Sequence, residues 1–121
     1  MKKKILIGIA SVALLALMVG SASACVGPGL SPGFWKHNVG VCLGLENGSY
    51  SDPGITGPRA GYTGICSKDT MGDWLKANWS PAELLALFNA LSTRGGGAAG
   101  AAIRVGAANV FNYAADLYPY V

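Results

Sequence analysis

Residues 80–91, SPAELLALFNAL, decide how this chain is read. Ser80 offers the hydroxyl that caps a helix N-terminus. Pro81 brings the fixed φ that suits the first helical position, and Glu83 stands where a capping box needs its carboxylate. Behind this start, Leu84, Leu87, Phe88 and Leu91 recur at helical spacing, with Leu85 alongside. Gly95-Gly96-Gly97 ends the helix.

Working outward, Asp69 or Thr70 caps a shorter helix that runs to about Asn78, with Thr70 and Asp73 as a weaker capping box. Trp74, Leu75 and Met71 form its apolar face. Asp69 and Asp73 lie four apart, and we read them as capping and dipole charges, not as a catalytic pair. A third helix is predicted over about Ala98–Leu117, before Pro119. Its stripe is Ala99, Ile103, Gly106 or Ala107, Val110, Tyr113 or Ala114, and Leu117. The small pairs Gly96/Gly100 and Ala102/Gly106 read as close packing in a core. Arg104, Asn109, Asn112 and Asp116 oppose a membrane face.

The N-terminal half is different. Residues 27–64 hold ten Gly and four Pro, arranged as recurring turn signals such as Ser31-Pro32-Gly33 and Asp52-Pro53-Gly54. Phe34, Trp35, Tyr50 and Tyr62 argue against disorder, because disordered segments are poor in aromatics. An ordered, loop-rich half follows, with room for short strands near 39–43 or 60–65. The fold class is therefore mainly α: about three helices, with a disulfide-stapled, Gly/Pro-rich, loop-dominated N-terminal half. Residues 25–68 form the loop-rich part and 69–121 the helical part of one small domain.

Residues 1–24 read as a signal peptide. Lys2–Lys4 are its positive start, Ile5–Val19 its apolar run and Ala22-Ser23-Ala24 its cleavage site, before Cys25. As a helix that run spans roughly 22 Å, short of the ~30 Å of a hydrocarbon core. Ser21–Cys25 also resembles a bacterial lipobox, with Ala22 where Leu is preferred. Cys25 is thus a lipidation candidate, and the membrane enters only through such a lipid.

An oxidising compartment makes disulfides the default. With Cys25, Cys42 and Cys66 the count is odd. A lipidated Cys25 leaves Cys42 to pair with Cys66; otherwise three pairings are open. Cys42–Cys66 is favoured, closing a loop of about 25 residues worth roughly 3 kcal/mol. A single His and the absence of C-x-x-C give no zinc spacing, so neither metal nor cofactor is expected.

The formal charge of +3 reflects Lys2–Lys4. Beyond them the basic residues Lys36, Arg59, Lys68, Lys76, Arg94 and Arg104 match six acids, so the electrostatic term for nucleic-acid binding is missing. With 51% apolar and 12% charged residues, such a neutral chain favours self-association.

The run Ser31-Pro32-Gly33-Phe34-Trp35-Lys36-His37-Asn38 stands out. It resembles the G-[FY]-W-K-[NH]-[HN] signature of a family of small secreted or cell-surface prokaryotic proteins. Trp79–Leu85 and Ala107–Asn112 are similar to the later pattern of that family. The common form has Asn before His, whereas here His37 precedes Asn38. The resemblance implies an extracytoplasmic place and no established activity.

Physically, Phe34 and Trp35 can plug the helical layer with Lys36 and His37 in solvent. Alternatively, Phe34, Trp35, Lys36, His37 and Asn38 form a surface that stacks on and hydrogen-bonds sugars. A catalytic reading rests on His37 as sole base, and no G-x-S-x-G, H-E-x-x-H or phosphate loop accompanies it. Asn47-Gly48-Ser49 is a glycosylation sequon in a surface loop; Asn78-Trp79-Ser80 is discounted because Ser80 caps a helix. The leading expectation is an exported, non-enzymatic cell-surface or envelope protein, structural or adhesive, with itself or surface glycans as partner. A carbohydrate-binding module on Phe34, Trp35 and His37 is the second, and a small hydrolase centred on His37 the third.

Overall fold

The computed structural model describes residues 27–55, 65 and 67–121. Four helices carry them: α1 (Pro32–Leu43), α2 (Lys68–Asn78), α3 (Pro81–Leu91) and α4 (Gly97–Ala114). There is no strand among the described residues. Helices α1, α3 and α4 touch pairwise, and α2 packs on α1.

Each helix starts for a local reason. At α3 the Ser80 hydroxyl accepts from the Glu83 N–H (3.2 Å), and the Glu83 carboxylate accepts from the Ser80 N–H (2.8 Å), as read from the sequence. At α2 the box lies further upstream than expected. Ser67, not Asp69 or Thr70, is the cap, and Thr70 Oγ1 accepts from the Ser67 N–H. At α4 the three glycines all adopt positive φ, which residues with a Cβ resist, and they bring the chain into the helix. The preceding helix has by then ended, with Ser92 Oγ donating to the Phe88 carbonyl.

Helix α1 corrects the loop-dominated reading of the N-terminal half, and it raises the helix count from three to four. Ser31 accepts from the Phe34 N–H and Pro32 opens the first turn, the same device as Ser80-Pro81. Gly44 (φ 75°) ends it, with the Leu45 N–H donating to the Gly40 carbonyl at 2.8 Å. Residues 39–43, one of the two stretches expected to have room for a short strand, are the last five residues of this helix. The periodicity is masked because two of its four buried positions are Asn38 and Gly40.

The expected Cys42–Cys66 staple is not seen among the described residues. Cys42 is a free thiol, half-buried on α1 and hydrogen-bonded with the Tyr50 hydroxyl. Cys25 and Cys66 lie outside the described residues, as do residues 1–24, read from the sequence as a signal peptide, and all but Ile65 of the strand expected near 60–65.

Aromatic rings organise the core among the described residues. Trp35 stacks on Phe111 (centroids 5.0 Å) and leans on Trp74 (5.9 Å); Trp79 meets Trp74 (5.2 Å) and Phe111 (4.8 Å) edge-on. The four rings close a cycle that joins α1, α2, the residue ending α2, and α4. Each such contact adds about 0.5–1.5 kcal/mol beyond the area it buries. Val39, Leu75, Leu84, Leu87 and Val110 surround them.

The expected stripe of α4 holds only in its second half. Ala107, Val110 and Leu117 are buried, whereas Ala99, Ile103 and Gly106 are exposed. Gly100 is the small residue that packs closely, since a Cβ there would strike the Gly95 carbonyl.

Candidate functional site

The run Phe34–Asn38 lies on the first two turns of α1, and helical geometry sends its side chains in different directions. Trp35 and Asn38 go inward and are fully buried. Phe34 is half-buried and set edge-on against Trp35 at 4.9 Å. Lys36 and His37 reach sideways toward the loop that follows α1. The structure therefore does not gather these five residues on one exposed face. The Trp35 ring is fully buried in the aromatic cycle and shows no face to solvent.

What the polar members do instead is hold main chain. Asn38 Oδ1 accepts from the Ser51 N–H at 2.7 Å, and its Nδ2 faces the Ser51 carbonyl at 3.5 Å. His37 Nε2 lies 2.8 Å from the Ser49 carbonyl, and its Nδ1 lies 3.1 Å from Glu46 Oε1. Lys36 Nζ approaches the other Glu46 oxygen at 3.9 Å. The Trp35 indole N–H donates to Asn112 Oδ1 at 2.9 Å.

Asn112 and Asn109, one turn apart on α4, repeat the pattern. Asn112 also accepts from the Leu30 N–H (2.8 Å) and donates to the Leu30 carbonyl (3.0 Å). Asn109 accepts from the Tyr120 N–H (2.7 Å) and donates to the Tyr120 carbonyl (3.2 Å). Each helical Asn thus grips both polar groups of one loop residue, doing for single residues what a strand partner does along a ladder. Glu46, Ser51 and Asn109 as partners were invisible to motif reading. The pairings cross 9, 13 and 11 residues; the first two become predictable only once α1 is known to end at Gly44, the third once α4 is known to end at Ala114.

Electrostatics follow this geometry. The Ser49 carbonyl, then the Glu46 carboxylate, stabilise the charged imidazole and raise the His37 pKa above 6.5; burial opposes them. Both ring nitrogens face acceptors, so neither is free in this conformation to take a proton from a nucleophile. Burial first, then Cys42 and the Asp73 charge, push the Tyr50 hydroxyl up to about 12. Tyr50 lies over Gly72, where a Cβ would come within 2.6 Å of its oxygen.

Cys42 opens onto a cleft of about 470 Å³, walled by Leu43, Trp79, Pro81 and Leu84 with Lys76 at its rim. Asn47 is exposed on the loop after α1. Asn78 donates its amide to the Trp74 carbonyl (2.8 Å), so that sequon's nitrogen is already engaged. Among the described residues no group of His, Cys, Asp and Glu converges to hold a metal, and no helix is long and apolar enough to cross a membrane. No known protein family, curated protein or solved structure matches this chain.

Proposed function

We propose that this protein is an exported, non-enzymatic component of the cell surface or envelope, structural or adhesive, and able to assemble with copies of itself. The observation that carries the reading is the fate of the Phe34–Asn38 run. Its one histidine, its buried asparagine and its tryptophan are spent on bracing main chain and core. That is the use expected of a rigid building unit, and it leaves little of the run to meet a substrate.

Three further features support it. Residues 1–24 have the charge, apolar run and small-residue end of an export signal. The chain beyond them carries equal numbers of basic and acidic residues, which favours association. Leu85, Ile103 and Tyr118 are large apolar side chains about half exposed.

The test is the natively expressed protein, fractionated and weighed intact with and without alkylation. A chain starting at Cys25 in the surface fraction is expected, with either an unmodified or a lipid-bearing N-terminus, and the alkylated thiols count the free cysteines. A cytoplasmic full-length chain overturns the reading. Assembly is tested by sedimentation: a monomer at high concentration, with no polymer in native surface preparations, removes it.

A further inference from the structure

The His37 contacts carry an inference that does not depend on where the protein works. A neutral imidazole has one N–H and one lone pair. Here both ring nitrogens face acceptors: a main-chain carbonyl, which never donates, and a carboxylate. Only the imidazolium satisfies both at once. The two acceptors belong to one short segment, and that segment has glycine joints at Gly44 (φ 75°) and Gly48 (φ 99°). A Cβ on Gly44 would meet nothing within 4 Å. Beyond the segment, Asn38 pins Ser51.

We propose that residues 44–49 form a proton-gated clasp on α1, closed while His37 is charged and loosened when it loses its proton. The ionised groups facing His37 are Glu46 and, across Glu46, Lys36, a rival cation for the same carboxylate. With His37 neutral, Lys36, at 3.9 Å, is the one cation left beside the Glu46 carboxylate among the described residues, and one ring nitrogen faces an oxygen with no hydrogen between them. The side chain of Glu46 also covers Gly40, whose would-be Cβ lies 2.7 Å from the Glu46 Cγ and 3.0 Å from the Phe88 ring. Loosening therefore withdraws the Glu46 side chain from Gly40, while the Asn38–Ser51 contact limits the opening to the segment itself.

The direction is fixed by linkage. A group whose folded pKa is raised contributes its full stability below 6.5, and that contribution is lost as pH rises through the higher folded value. His37 is about one-third exposed, so solvent screening keeps the effect local.

The sequence contains a single histidine, so its ring signals need no assignment. We would follow them by NMR from about pH 5 to 9 on the natively processed protein, together with the loop amides. The expected result is a doubly protonated ring with a midpoint above 6.5, and amide signals of Leu45–Ser49 that move with the same midpoint. In Glu46→Gln, which keeps the acceptor oxygen but not the charge, the midpoint falls toward 6.5 while the Trp35 indole signal stays in place. Amide exchange of Leu45 and Glu46, whose N–H groups donate to the Gly40 carbonyl, speeds up above the midpoint by about 2- to 5-fold relative to the base-catalysed rise common to all amides, the scale of an exposed ion pair. A midpoint at or below 6.5 in the unsubstituted protein, or loop amides indifferent to it, overturns the clasp.

Discussion

The indole N–H of Trp35 and the side-chain oxygen of Asn112 meet at 2.9 Å, 77 residues apart in the chain. Both residues are fully buried, and the same oxygen also receives the Leu30 N–H. One amide therefore ties together α1, α4 and the segment leading into α1. Asn112→Ala strands the Trp35 N–H and both polar groups of Leu30, and it opens a small void. We expect a loss of about 3 kcal/mol or more, read as a fall in the urea midpoint. Asn112→Asp keeps the acceptor, buries a charge and fares no better.

Two glycines of α4 should respond in opposite directions. A Cβ on Gly100 would strike the Gly95 carbonyl, so Gly100→Ala must displace backbone and is expected to cost about 1–3 kcal/mol. Gly106 is exposed, and a Cβ there meets nothing within 4 Å. Gly106→Ala should stabilise by about 0.5–1 kcal/mol through helix propensity and a less flexible unfolded chain. Thermal melts of the two variants check both signs.

Helix α4 ends as α1 does. The Leu117 N–H donates to the Asn112 carbonyl at 2.8 Å, as Leu45 does to Gly40. The left-handed position is Gly44 in α1, but in α4 it is Asp116 at φ 60°. Asp116 Oδ1 is moreover buried with no hydrogen-bond partner among the described residues. Asp116→Gly removes both costs and should raise stability by about 1 kcal/mol in chemical denaturation.

Tyr50 supplies an alkaline signature. Its hydroxyl is held neutral up to about 12 by burial, by Cys42 and by the Asp73 charge. A raised pKa means that its stabilising share is complete below 10 and disappears as pH climbs through about 12. Tyrosinate absorbance should show a late step that is missing in Tyr50→Phe. A titration curve identical in the two proteins would remove this reading.

The parts legible in the sequence were those where one residue type has one local meaning. Ser80-Pro81-Ala82-Glu83 forms the box it spells, and Leu84, Leu87 and Leu91 face the core. Helix α1 carries the same Ser-Pro start, but at its core-facing positions Asn38 and Gly40 break the apolar period, so its signals add up to a loop. The first half of α4 shows the reverse. Ala99 and Ile103 continue an apolar stripe past the point where α4 still has helices to lie against. The run Phe34–Asn38 was conspicuous by composition, yet its role depends on partners at Glu46, Ser49, Ser51 and Asn112, which only the tertiary fold supplies.

The asparagine contacts have a consequence for how the chain can change. Asn38, Asn109 and Asn112 recognise the peptide groups of Ser51, Tyr120 and Leu30, and every residue type has a carbonyl there and nearly every one an N–H. The identities of the gripped residues are therefore free to drift, while the gripping amides are not. Among relatives this would appear as three invariant asparagines facing loops of unrelated sequence. In the laboratory it makes the segments they hold places where foreign loops can be grafted onto an unchanged helical frame.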